Sequence, residues 1–108
     1  MNTRVFLVDV PRLMREIIET AVARRPDVFI VGEAHDTNRV IDEIRRARAD
    51  IVVLDVGPPS RPDVLVPLLE QLPAMPLLLI SRDGRAVFRC QPLGELSLPA
   101  LLRTLEQP

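Results

Sequence analysis

Lysine is missing from this chain. All fourteen of its basic residues are arginine, so chemistry that depends on a side-chain amine has no donor here. Cysteine occurs once, at Cys90, which excludes an internal disulfide and fits a reducing cytoplasm. Glycine is sparse: Gly32, Gly57, Gly84 and Gly94 lie far apart, leaving no glycine-rich phosphate loop, and no serine sits in a nucleophile elbow. No apolar run approaches the ~20 residues that cross a bilayer, and the amino terminus lacks a long apolar signal core. A cytoplasmic location with no membrane partner is therefore expected. The formal net charge of −1 gives no broad attraction to nucleic acid.

What is present is an alternation of strand and helix patterns over 108 residues, read as a single domain, 1–108, whose core withdraws roughly 65% of the unfolded chain's surface from water. Ile51-Val52-Val53-Leu54 is a continuous apolar run without period-two alternation, the pattern of a strand buried on both faces of a parallel sheet. It ends at Asp55. Val5-Phe6-Leu7-Val8 repeats the pattern and ends at Asp9. Ligands and chemistry collect at the carboxyl ends of such strands, and two adjacent parallel strands would bring Asp9 and Asp55 into one crevice.

The remaining strands are predicted at 28–33, 77–80 and 86–90. Helices are predicted over 12–25, from a cap at Asp36 or Thr37 to about Arg48, from Val64 to Leu72 with Asp63 as cap and Pro67 in the first turn, and over 98–106. Leu65, Leu68, Leu69 and Leu72 are the expected buried side of the third helix, and Leu98, Leu101, Leu102 and Leu105 the apolar side of the last. Repeated strand and helix argue for an α/β doubly wound, mainly parallel five-stranded sheet. One repeat is broken, because only Arg82-Asp83-Gly84-Arg85 separate Ser81 from the fifth strand, and a parallel crossover needs about a dozen residues. Strand five therefore either forms an antiparallel hairpin with strand four or pairs elsewhere, including with another copy of the chain.

These segments resemble the receiver domain of bacterial two-component response regulators, a flavodoxin-like (CheY-like) fold, and especially the receivers of LuxR-type regulators. "RVFLVDVPRLMREII" resembles the family's first strand, acidic site and first helix; "ADIVVLDVGPP" its phosphoacceptor strand and loop; "MPLLLIS" and "VFRCQP" its fourth and fifth strands. The resemblance implies Asp55 as phosphoacceptor position, Asp9, Asp55 and the Gly57 carbonyl as Mg²⁺ ligands, Ser81 and Arg82 as phosphate contacts, Pro59 in the following loop and Phe88 as switch aromatic. The chemistry requires hard oxygens for Mg²⁺ and cations around a transferred phosphoryl group. Val10 replaces the second acid, Gln91 replaces the lysine, and the family's fourth helix is missing. A degenerate receiver with weak Mg²⁺ binding follows from this, one that is not an enzyme and binds no other cofactor.

The expected partners are a histidine kinase or downstream effector, with a homodimer through the face left open over Leu77 to Ile80. Ending at Pro108, the chain is expected to stand alone without a DNA-binding effector. Two other functions remain open: a functional phosphoacceptor that uses Asp55 in a phosphorelay, and a small-ligand-binding flavodoxin-like domain. Plain structural roles compete at each position. Asp55 and Asp9 also suit strand ends, Ser81 a hydroxyl that satisfies nearby backbone, His35 a surface loop, Cys90 the core, and Arg45, Arg46 and Arg48 a solvated helix face.

Overall fold

The structure, a computed structural model, describes residues 2–35, 39–55, 62–81 and 83–108. The elements are β1 (Thr3–Val8), α1 (Arg12–Val22), β2 (Val28–Ala34), α2 (Val40–Ala47), β3 (Ile51–Asp55), α3 (Pro62–Gln71), β4 (Leu77–Ile80), β5 (Val87–Cys90) and α4 (Leu98–Glu106). The strands form one sheet in the order β2-β1-β3-β4-β5. β1 and β3, whose apolar runs lack alternation, occupy its interior, where both faces of a strand are covered.

The first four strands are parallel, and β5 runs antiparallel to β4. The short connection dictates this reversal. Ser81 and Ala86 close it with a backbone hydrogen bond of 2.9 Å, the Gly84 N–H donates to the Ser81 carbonyl at 2.9 Å, and Gly84 takes the left-handed φ of +73° that the turn demands. Of the two pairings that the sequence left open, the hairpin is the one adopted.

α2 and α3 cover one face, where Val40, Ile44, Val64 and Leu68 pack on Phe6, Val8, Val52, Leu54 and Leu77. α1 covers the other, laying Met14 and Ile18 over Val5, Leu7, Val10, Val53 and Ile80. Several expectations need correction here. α3 begins at Pro62, so Asp63 lies in its first turn instead of capping it, and Pro67 falls in the interior, where its missing N–H leaves one helical carbonyl without its usual partner. Val64 joins Leu68 in the core, and Leu69, expected there, is exposed. Asp36 and Thr37 lie outside the described residues, and α2 starts after Arg39 without a side-chain cap.

The open strip of the sheet is also displaced from its expected place. Leu77 and Ile80 are buried, each in the core cluster of one sheet face, while Leu78 and Leu79 between them are half-buried. Val87 and Phe88 on β5 carry the exposure in their stead. No residue of α4 belongs to either core cluster, and the four leucines of its apolar side are exposed.

α2 ends on Arg48, which adopts the left-handed conformation (φ 54°, ψ 48°), while the Arg4 guanidinium donates to the Ala47 carbonyl at 2.9 and 2.8 Å. Glycine holds this conformation without the Cβ clash. Arg48→Gly is expected to stabilise the fold by about 0.5 kcal/mol, the balance of relieved strain against a looser unfolded chain. A urea midpoint that moves down would contradict it.

Candidate functional site

β1 and β3 pair in parallel with Val8 beside Leu54, so the next residues along each strand, Asp9 and Asp55, emerge together at the carboxyl end of the sheet. Asp55 is buried, at 2% exposure, and Asp9 is half-buried. Asp9 holds a left-handed φ of 52°, a conformation that aspartate tolerates better than most side chains. Its N–H donates to the Ala34 carbonyl at 2.8 Å, which ties the end of β1 to the end of β2.

Ser81 follows β4 at the same end, since Asp55 pairs with Ile80. Its hydroxyl belongs to the hairpin turn: it donates to Asp83 Oδ1 at 2.6 Å and accepts from the Ala86 N–H at 2.9 Å. The Arg85 N–H also donates to Asp83 Oδ1, at 3.0 Å. The Ser81 hydroxyl and then the Arg85 amide stabilise the charged carboxylate and hold the Asp83 pKa below its ordinary value. Because that pKa is depressed, the turn's stabilisation is fully present above the ordinary carboxyl range and fades as pH falls through the folded value. In Ser81→Ala, the Asp83 carboxyl is expected to titrate closer to its ordinary pKa; an NMR titration with no upward move would refute this role for the hydroxyl.

Val10, in the position of the family's second acid, is 3% exposed and packs with Val5, Leu7, Val53 and Ile80. Among the described residues no three carboxylate, imidazole or thiolate groups are placed to hold a metal ion. Asp9 and Asp55 are thus the described candidates for the Mg²⁺ site, and Gly57, Pro59 and Arg82 lie outside the described residues.

The reversal of β5 relocates the other two sequence-selected positions. Cys90 pairs with Leu77 at the amino end of β4, so Gln91 follows at the opposite end of the sheet from Asp55. It borders a small hollow with Leu72, Pro73 and Met75. Phe88 pairs with Leu79 and is exposed on the edge strand. Ala86 and Arg85, in contrast, lie at the Asp55 end.

Beside Asp9 stands His35, and beyond it lie two side chains that the sequence did not single out, Glu33 and Arg15. Arg15 on α1 bridges to Glu33 at 2.9 Å. His35, a surface residue as expected, has its ring nitrogens 3.7 Å from Asp9 Oδ1 and 3.8 Å from Glu33 Oε2. Glu33 had a readable signal, because it follows the apolar run of β2 much as Asp9 and Asp55 follow theirs.

No protein-family model matches the chain. Protein-glutamate methylesterase/protein-glutamine glutaminase of Desulfotalea psychrophila is 32% identical over 99 residues, which are 86% of this chain and 27% of that protein. The response regulator domain of Thermotoga maritima CheB superposes with a TM-score of 0.63 at 22% identity, covering 99% of this chain and 96% of that one. The chain has the CheY-like receiver fold. A LuxR-family two-component response regulator from Aurantimonas sp. SI85-9A1 also matches, with 26% identity and a TM-score of 0.61 over 75% of this chain and 59% of the other. This receiver has four helices among its described residues, which fits the loss of one helix between β4 and β5. It spans about a quarter of the length of the curated relatives it matches, and no described helix is long and apolar enough to cross a membrane.

Proposed function

We propose that this receiver works in two-component signalling mainly through protein contact, with phosphorylation at Asp55 weak or absent. The observation that carries this reading is the reversed β5. It puts the lysine-equivalent position, Gln91, at the far end of the sheet from Asp55, in a chain that has no lysine at all. A transferred phosphoryl group spreads charge over its oxygens, and each missing cation or metal ligand typically costs the transition state a few kcal/mol.

Two neighbouring features support the same reading. Val10 is committed to the core, leaving a site short of one carboxylate and with weak affinity for Mg²⁺. The Ser81 proton is engaged by Asp83, so a donor to a phosphoryl oxygen would first have to leave the turn. Contact partners would be a histidine kinase or a downstream effector, reached through the apolar surface of β5 and α4. No enzymatic activity is proposed for this segment.

The test is fluoroberyllate binding followed by NMR, with and without Mg²⁺, in the wild type and in Asp55→Ala. The expected result is a folded protein whose spectrum stays unchanged in all four samples. A Mg²⁺-dependent shift at Asp55 and Ser81 that Asp55→Ala removes would establish a functional phosphoacceptor instead.

A further inference from the structure

The end of the sheet opposite Asp55 is a basic pole. Each helix between parallel strands returns to the sheet at its amino end, so the turns after α1, α2 and α3 gather there. Arg24 and Arg25 lie in the first of these turns, Arg48 in the second, Arg45 and Arg46 in the last turn of α2, and Arg4 near the start of β1. All six are exposed. Asp27, Asp50 and Glu70 lie at the same end, yet among the described residues no carboxylate bridges to any of the six guanidinium groups, whereas Arg12 and Arg15 at the other end are both bridged to glutamate. The formal net charge of −1 therefore conceals a separation of charge along the strands. A helix C-terminus favours cations in its last turn, which accounts for Arg45 and Arg46 but not for Arg24 and Arg25 beyond the end of α1.

Beside Arg45 the turns after α2 and α3 enclose a hollow of about 420 Å³ with an apolar wall of Leu72, Pro73, Ala74, Met75 and Pro76. That wall is preformed. The Leu72 N–H donates to the Leu68 carbonyl and the Met75 N–H to the Leu72 carbonyl, both at 3.0 Å, and the Pro76 carbonyl accepts from the Val52 N–H at 3.1 Å. A surface already held in place costs a ligand little ordering. Asp50, the carboxylate in the hollow, accepts the Arg4 N–H at 2.8 Å. One Arg45 nitrogen donates to the Gln71 carbonyl at 3.3 Å, which leaves most donors of that guanidinium for a ligand. A second hollow, of about 110 Å³, shares Leu72, Pro73 and Met75 and extends the surface to Gln91, which the reversed β5 delivers to this end.

From the basic rim and the apolar hollow together we infer that this pole binds an acidic peptide segment of a partner protein. Its carboxylates pair with Arg45, Arg46 and Arg48, and one leucine-sized side chain enters the hollow at Met75. Guanidinium groups match carboxylates in geometry as well as charge. The charge speeds and orients the encounter, and the hollow selects for an apolar side chain between the acids. A nucleic acid fits less well, because no aromatic side chain lines either hollow for a base to stack on. The site lies at the opposite end of the sheet from Asp55, so the inference holds whether or not that carboxylate accepts a phosphoryl group.

Fluorescence anisotropy with a fluorescein-labelled peptide of alternating glutamate and leucine tests it, on the wild type, Arg46→Glu, Arg48→Gly, Ala74→Phe and Arg12→Glu. All four substituted residues are exposed, so the fold survives, and circular dichroism checks that. The wild type is expected to bind saturably and more weakly as salt rises. Arg46→Glu is expected to bind about tenfold more weakly, and Arg48→Gly to lose affinity without losing stability. Ala74→Phe fills the hollow, so it is expected to weaken the leucine peptide about tenfold while leaving a glutamate and serine peptide unaffected. Arg12→Glu, at the other end, is expected to bind as the wild type does. No binding overturns the inference, as do equal losses in Arg12→Glu and Arg46→Glu, indifference to Ala74→Phe, equal binding of a lysine and leucine peptide, and tighter binding of single-stranded DNA or phosphatidylserine vesicles. Fluoroberyllate binding is read at the Asp55 end, so a failure here leaves the phosphorylation result standing.

Discussion

Val10→Asp is expected to unfold much of the protein at neutral pH instead of rebuilding a metal site. On paper the substitution restores the second acid that receivers place after their first strand. In the structure this side chain is 3% exposed and belongs to the cluster of Val5, Leu7, Val53 and Ile80 beneath α1. A carboxylate placed there loses its hydration and gains no cation, so the destabilisation should reach several kcal/mol, on the order of 3 or more. Burial raises a carboxyl pKa. The variant is therefore expected to be most stable below the unfolded-state value of about 4, and to lose stability as pH rises through the raised folded value. Urea titrations at pH 4 and pH 7 measure this directly. A variant as stable as the wild type at pH 7, and further stabilised by Mg²⁺, would mean that the position turns towards Asp9 and Asp55, and that the site is one substitution from competence.

The same side chain shows where the sequence was readable and where it was not. β1 and β3 were legible because continuous apolar runs with a terminal aspartate have few other homes, and parallel pairing then fixed Asp9 beside Asp55. The 81–86 connection was legible as a turn, since its length forbids a crossover. Its consequence for Gln91 and Phe88 was not, because residue spacing alone is the same whether β5 runs up or down. For α1 and α4, periodicity shows that a stripe exists but carries no information about what it meets. Leu13 and Met14 are neighbours in one apolar pattern, yet Met14 packs on the sheet and Leu13 is 71% exposed. Glu33 was legible as the end of the β2 run but not in its direction: the side of the sheet that it takes depends on a register shift.

That shift rests on one glycine, and Gly32→Ala should expose the dependence. β1 and β2 pair as Val5 with Ile30 but Phe6 with Gly32, so Val31 is passed over as a bulge. Without it Glu33 would stand beside Val8, in the core packed by α2 and α3. With it Glu33 stands beside Leu7, on the α1 side, where Arg15 meets it at 2.9 Å. A methyl group at Gly32 would lie 2.8 Å from Phe6 Cε2 and 3.1 Å from Cδ2. The Phe6 ring is 2% exposed among Val8, Val52 and Leu54, so it has nowhere to go. Elsewhere in a strand, glycine to alanine gains a fraction of a kcal/mol by stiffening the unfolded chain. Here overpacking decides the sign, and Gly32→Ala is expected to cost about 1–3 kcal/mol. Shrinking the ring isolates the cause: in a Phe6→Leu background, itself destabilised, the same Gly32→Ala step should cost less than half as much. That non-additivity is expected of two groups in direct contact. If the penalty were equal in both backgrounds, the ring would not be the obstacle. The bulge would then owe its place to backbone geometry, and the carboxylate it sends towards Arg15 and His35 would not depend on how Phe6 packs.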